Sequence, residues 1–278
     1  MKKILVPIDF SVASSWGYYY AYEMASIIGA ELVVMHMYLP HTDSSLKQDY
    51  TNIAPEYIAK RKAEIIEHLK LATQQPIGTT QKDVPITYVV DYGERNEIAH
   101  YAKLHQVDLV VMGTKGAGST SKKILGSNTA KVIENNHCPV LAIPEGVAFS
   151  EKMKIAYATD LQSDDKAAIE NLISFVKASN SSLHFIHINK FKDSPNPTNP
   201  DYFKEWFKDQ IDDSNITFTN WSAVQVEDGL EVFCRVNEID LLAVLKHDRS
   251  TWEKVFGERS TTQTLAARNN IALLAFHD

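Results

Sequence analysis

An internal repeat constrains the fold of this chain more than any other feature. Lys3-Ile-Leu-Val-Pro-Ile-Asp9 returns as Lys154-Ile-Ala-Tyr-Ala-Thr-Asp160, and Leu32-Val-Val-Met-His36-Met returns as Leu183-His-Phe-Ile-His187-Ile, both 151 residues later. Asp108-Leu-Val-Val-Met is matched by Asp240-Leu-Leu-Ala-Val at a spacing of 132, and Cys138-Pro-Val-Leu-Ala-Ile by Ile271-Ala-Leu-Leu-Ala-Phe at 133. The spacing falls because the second copy is shorter in its middle. A register kept over several β-rich runs describes one domain present twice, over residues 1–146 and 151–278, joined near Pro144-Glu-Gly146. A length of 278 residues suits two domains.

Within each copy, short apolar runs alternate with longer helical periodicity, the order that places helices on both faces of a parallel sheet. The first copy predicts strands at Lys3–Ile8, Leu32–Met37, Ile86–Val90, Leu109–Gly113 and Val140–Ile143, with helices near 13–29, 52–75, 94–105 and 127–136. Each domain is therefore expected to be α/β and Rossmann-like, a five-stranded parallel sheet flanked by helices. The stretches 38–51 and 190–200 interrupt the two copies at matching places and read as long loops. In open parallel sheets, ligands collect beyond the carboxyl ends of the strands where the strand order reverses. Asp9, Met37 and Gly113 fall at that edge.

Glycines stand at 113, 116 and 126, with Ser127 directly after the last. The run follows the apolar strand pattern of residues 108–112 and precedes a helix start at Asn128. A glycine-rich strand-to-helix turn suits phosphate, because residues without a Cβ let the backbone approach an anion while first-turn N–H groups point at it. Two commoner phosphate motifs do not fit. No Gly-Lys-Ser/Thr closes the stretch from Gly113, as Ser119 follows Gly118, and Ser121 fills the third glycine position of a dinucleotide fingerprint.

The glycine pattern and the opening Ile4-Leu-Val-Pro-Ile-Asp9-Phe-Ser11 resemble the universal stress proteins, in a tandem two-domain form. The resemblance covers nearly all of the first copy and, in reduced form, the second. It implies two domains of the adenine-nucleotide α-hydrolase-like kind, arranged as an intramolecular pseudo-dimer in which the edge strands Val140–Ile143 and Leu273–Phe276 meet; further homodimerisation stays open. It implies that the first domain binds ATP or another adenine nucleotide, with Mg as companion ion, in a regulatory protein of the stress response with unnamed protein partners. Carried over by position, Asp9 would reach the ribose or, through Mg-ATP, the metal, and Pro7, Ile8 and Met37 would shape the adenine pocket. Met112 and Gly113 would pass the ribose, Lys115 and Gly116 would open the phosphate loop, and Gly126, Ser127, Asn128 and Thr129 would present N–H and hydroxyl groups to phosphate.

Plainer roles compete for the same residues. Asp9 closes a strand before a helix and suits turn or capping chemistry. His36 recurs as His187, at the end of an apolar strand, where packing or a hydrogen bond explains a histidine more often than ligand contact. Met37 and Met112 suit a core, Lys122 and Lys123 a solvated surface, and Ser119, Thr120 and Ser121 a polar loop. A nucleotide-independent interaction scaffold is therefore the alternative function, and slow ATP hydrolysis or self-phosphorylation stays open. No catalytic set is legible.

The second copy lacks the phosphate pattern. Leu245 and Asp248 replace Gly113 and Gly116, and Glu258 follows Gly257 where Ser127 follows Gly126. Like charges 4 Å apart lose about 4 kcal/mol at an effective dielectric of 20, so these carboxylates would oppose an anion. Residues 1–146 carry 14 basic and 15 acidic side chains, whereas 147–278 carry 14 and 20, which places nearly all the excess negative charge in the second half. One nucleotide site per chain is expected. A net charge of −7 without a basic stripe disfavours nucleic acid. Cys138 and Cys234, the only cysteines, have neither zinc nor thioredoxin spacing and read as buried, inert thiols. No apolar run is long enough for membrane insertion, and the first residues do not form a signal peptide, so a cytoplasmic location is expected.

Overall fold

A computed structural model of the chain describes residues 1–38, 55–73, 83–92, 97–114, 126–159, 165–190, 215–246 and 271–277. The chain divides into two compact units, the first ending at Ala148 and the second continuing from Phe149. In the first unit the order is β1 (Lys3–Pro7), α1 (Val12–Ile28), β2 (Glu31–Tyr38), α2 (Pro55–Ala72), β3 (Ile86–Tyr92), α3 (Glu97–Leu104), β4 (Leu109–Gly113), α4 (Ser127–Asn135) and β5 (Val140–Ile143). All its strand pairs are parallel and give the order β3-β2-β1-β4-β5. The chain runs one way from β1 to β3 and resumes on the other side of β1 with β4. The strand order therefore reverses between β1 and β4, which is where such sheets leave a crevice at their carboxyl ends.

The sheet forms because its strands are apolar on both faces. Ile4, Leu5 and Val6 are fully buried, as are Leu109, Val110 and Val111. Continuous burial of this kind is the mark of a parallel sheet covered on two sides. Helix α1 is delimited by its sequence: the Ser11 side chain accepts from the Ser14 N–H at its start, and Gly29, at φ 68°, closes it in the left-handed conformation. Its buried face carries Tyr18, Tyr20, Ala21, Met24 and Ala25. The Tyr18 hydroxyl reaches the Thr73 carbonyl at 3.4 Å, and the Thr73 hydroxyl meets that of Tyr88 at 2.8 Å, which ties the end of α2 to α1 and β3.

The second unit comprises β6 (Lys154–Ala158), α5 (Asp165–Ser179), β7 (Ser182–Lys190), β8 (Ile216–Ala223), α6 (Val226–Val236), β9 (Leu241–Lys246) and β10 (Ala272–His277). Its parallel pairs give β8-β7-β6-β9-β10, the topology of the first unit repeated. Equivalent registers, Ile4 opposite Leu109 and Ile155 opposite Leu241, show that the spacings of 151 and 132 align corresponding strands. One repeated residue has a clear architectural purpose. Asp108 Oδ2 accepts from the N–H groups of Lys2 and Lys3 at 2.6 and 2.9 Å, and Asp240 Oδ2 accepts from the Lys154 N–H at 2.8 Å. Each clasps the start of its unit's first strand.

Several expected boundaries shift. Strand β3 runs past Val90 to Tyr92 because its ladder with β2 continues to the Tyr38–Tyr92 pair, across the polar Asp91 that hid the extension. Strand β1 stops at Pro7, one residue early, although the Ile8 N–H still donates to the Met35 carbonyl at 2.7 Å. Helix α2 is described from Pro55, a residue whose missing N–H suits a first turn; residues 52–54, 74 and 75 of the expected helix, like 94–96 of the next, lie outside the described residues. The two thiols also differ. Cys234 is buried and pushed up to about 12 by desolvation, whereas Cys138, expected buried, is partly exposed, receives the Asn136 Nδ2 donor at 3.2 Å and is pushed up to about 11 by desolvation.

Candidate functional site

At the carboxyl end of β1 the chain turns into α1 through residues 8 to 11. Asp9 Oδ1 accepts from the Ser11 N–H at 3.1 Å and from the Ser11 hydroxyl at 2.5 Å, while Ser11 Oγ accepts from Ser14 N–H at 3.1 Å. A short carboxylate bonding a backbone group two residues on is a turn former. One oxygen of Asp9, expected to reach ribose or metal, is thus engaged in building the turn. Phe10 sits at φ 62°, an uncommon conformation for a residue with a side chain, and its ring lies 4.9 Å from that of His36.

His36 fastens this turn to β2. Its Nδ1 lies 2.8 Å from the Ile8 carbonyl oxygen. A carbonyl only accepts, so Nδ1 carries the proton. Burial lowers the His36 pKa against the opposing effects of the Ile8 carbonyl and Asp9. His187 makes the same bond to the Thr159 carbonyl at 2.9 Å in the unit that lacks the glycine pattern, so the bond belongs to the fold. It carries a pH signature. With the folded pKa below the unfolded 6.5, the unfolded chain takes up protons first as the pH falls. The stabilisation is complete above that value and is lost as the pH falls from it through the folded pKa. Chemical denaturation at pH 7.5 and pH 5 should show the wild type losing more stability than His36→Asn, whose amide donates at both pH values. Equal losses would show that His36 is not held neutral by burial.

Beside it, β4 ends against α1. A Cβ added at Gly113 would stand 2.1 Å from the Ala13 carbonyl oxygen, and one at Gly17 would stand 2.8 Å from the Gly113 nitrogen. A real Cβ essentially never comes within 3.0 Å of such a neighbour, so both glycines are required by the close approach of helix and strand. Gly113, read from sequence as a residue beside the ribose, has a packing reason of its own. Sequence reasoning missed Gly17. The signal was present, because glycine inside a helix costs roughly 0.5–1 kcal/mol against alanine and asks for a packing reason, and Ala168 occupies its place in the second copy.

From Gly113 the chain reaches Thr114, whose N–H donates to the Ile143 carbonyl at 2.9 Å and whose carbonyl accepts from the Gly126 N–H. Gly126, extended at φ −61° and ψ 149°, caps α4 without a side chain. The Thr129 hydroxyl donates to the Gly113 carbonyl at 2.9 Å and is buried. Two donors expected to face phosphate, the Gly126 N–H and the Thr129 hydroxyl, therefore have partners inside the protein. Helix geometry leaves first-turn N–H groups such as that of Ser127 without an acceptor in the helix itself. Ile8 and Met112 are buried, Pro7, Met37 and Asn128 half-buried. Lys115 and Gly116 lie outside the described residues, as do Asp160, Asp248, Gly257 and Glu258 of the second unit, whereas Leu245 is described and buried in β9.

The arrangement brings the starts of α1 and α4 to the carboxyl ends of two adjacent strands, β1 and β4, at the point of strand reversal. Each helix start carries a partial positive charge, worth about 0.3–1 kcal/mol to an exposed anion. Among the described residues no group of three or more His, Cys, Asp or Glu side chains is placed to hold a metal, and no helix is long and apolar enough to cross a membrane.

The fold and this edge define an α/β protein of the Rossmann-like kind, and comparison with known proteins places it further. The chain belongs to the universal stress protein family, whose profile matches residues 1–144, just over half of its length. Universal stress protein YxiE of Bacillus subtilis is 30% identical over 146 residues, covering 51% of this chain and 98% of its own. A universal stress protein of Methanocaldococcus jannaschii is 28% identical over 144 residues, covering 51% of this chain and 81% of its own. A solved universal stress protein from Archaeoglobus fulgidus covers 99% of this chain and 96% of its own with a TM-score of 0.66 at 17% identity, a likeness of fold. Another universal stress protein structure, in complex with cAMP, covers 52% of this chain at 23% identity with a TM-score of 0.34.

Proposed function

We propose that the first unit binds an adenine nucleotide, ATP with its Mg ion, at the carboxyl ends of β1 and β4, and that the chain acts as a nucleotide-dependent binding protein in the stress response. The observation that carries this reading is the meeting of two helix starts at the point of strand reversal, with Gly113 at the end of β4 and Gly126 at the start of α4. A helix start alone holds an anion weakly. The nucleotide needs in addition several N–H bonds from the first turn of α4 and apolar contact with its base, for which Pro7, Ile8, Met37 and Met112 stand at the same edge. The second unit carries Leu245 in place of Gly113 and, in this reading, binds no nucleotide.

A second reading has its own support. Gly113, Asp9 and Thr129 each have a structural partner, so the same residues would be needed by an interaction scaffold that binds no nucleotide. Thermal unfolding with and without Mg-ATP separates the two. A ligand at 100 times its dissociation constant stabilises by about 2.7 kcal/mol. We expect a rise in the unfolding temperature with Mg-ATP and one equivalent bound per chain by calorimetry, with cAMP as the competitor to include. No rise with any adenine nucleotide would favour the scaffold, and two equivalents would place a site in the second unit.

A further inference from the structure

The chain leaves β4 at Thr114 and enters α4 at Gly126 through a neck closed by the bond from the Gly126 N–H to the Thr114 carbonyl. Beside this neck the Thr129 hydroxyl, one turn into α4, donates to the Gly113 carbonyl at 2.9 Å from a residue only 2% exposed. On its other side Gly113 is pressed against the backbone of α1. Among the described residues, strand end and helix start are thus joined by one backbone bond and one side-chain bond. Resting on the nucleotide reading above, we propose that Thr129 is a positioning residue of the site: acting through Gly113, it sets where the first-turn amides of α4 stand, and it does not itself touch phosphate.

The chemistry of a hydroxyl carries the argument. Threonine has one O–H proton, and here that proton is given to a carbonyl. Phosphate oxygens bearing charge also only accept, so a direct contact would require Thr129 to abandon Gly113. That exchange would break the bond from a buried hydroxyl to a half-buried carbonyl, a cost that a contact with phosphate would first have to offset. Keeping the bond to Gly113 satisfies the carbonyl and holds the helix start in place before any ligand arrives. Preset donors of this kind bind an anion without first having to be ordered.

The test uses the full chain as wild type, Thr129→Ser and Thr129→Val, with Thr129→Ala replacing the valine variant should that one not fold. Amide hydrogen exchange at Gly126, followed by NMR without added nucleotide, reads the neck, and calorimetric titration with Mg-ATP reads the site. We expect Thr129→Val to speed exchange at Gly126 and weaken Mg-ATP binding, each about tenfold, as loss of one hydrogen bond implies, while Thr129→Ser stays near wild type in both. Weakened binding with unchanged exchange would mean direct phosphate contact and would overturn the proposal, as would a valine variant indistinguishable from wild type. If the wild type binds no Mg-ATP, the nucleotide reading itself fails. The exchange arm then still judges the neck: faster exchange in the valine variant, restored by serine, supports Thr129 as its fastener, and unchanged exchange overturns it.

Discussion

Gly113→Ala is expected to destabilise the first unit by about 3 kcal/mol, the upper end of what overpacking costs. The added methyl would lie 2.1 Å from the Ala13 carbonyl oxygen and 2.4 Å from its carbon. These are backbone atoms of a helix, so no side-chain rotation relieves the clash; α1 must move away from β4. That movement also separates Gly17 from the Gly113 nitrogen and disturbs the carbonyl that Thr129 holds. For a unit of this size each kcal/mol lowers the unfolding temperature by roughly 2–4 °C, so a fall of about 10 °C is expected by circular dichroism. A fall within the scatter of repeat measurements would show that α1 does not pack on β4 at this distance.

Phe185→Ala should cost the second unit about 3–5 kcal/mol, the usual loss for a large aromatic side chain removed from a core. Phe185 is 1% exposed on β7, stacks on Phe218 with ring centroids 4.7 Å apart, and meets Tyr157 edge-on at 5.9 Å. The three rings fill one layer that an alanine cannot replace. The same variant tests where nucleotide binds. With the site in the first unit, the stoichiometry and affinity for Mg-ATP stay as in wild type at temperatures where the second unit remains folded. Denaturant unfolding supplies the stability change, and a loss of bound nucleotide that tracks it would place the ligand in the second unit.

Much of the fold was legible because it follows from local patterns. Apolar runs of four or five residues marked β4 and β5 to the residue, since a strand buried on both faces shows no polar interruption. Helix α1, expected near 13–29, spans Val12–Ile28, because the Ser11 side chain caps its start and Gly29 closes it in the left-handed conformation. Where a polar residue lies inside an element, as Asp91 does in β3, the apolar pattern breaks and predicts a strand shorter than the observed ladder. Within the candidate site, the glycine spacing and the edge were legible, but the work of individual residues was not. Gly17 belongs to no motif, and the Thr129 hydroxyl, expected to face phosphate, donates to the Gly113 carbonyl instead.

The amino-acid sequence by itself determined that one α/β pattern occurs twice, in which order its strands and helices come, and that a glycine-rich stretch follows the fourth strand of the first copy only. These are properties of neighbours along the chain and of self-similarity at a fixed spacing. Tertiary structure decided what the site residues do, because their partners are remote in sequence: Gly113 meets Ala13 and Gly17, Thr129 meets Gly113, and His36 meets Ile8. Whether a glycine serves an anion or a closely approaching helix depends on what occupies the space beside its Cα, and only packing in three dimensions determines that.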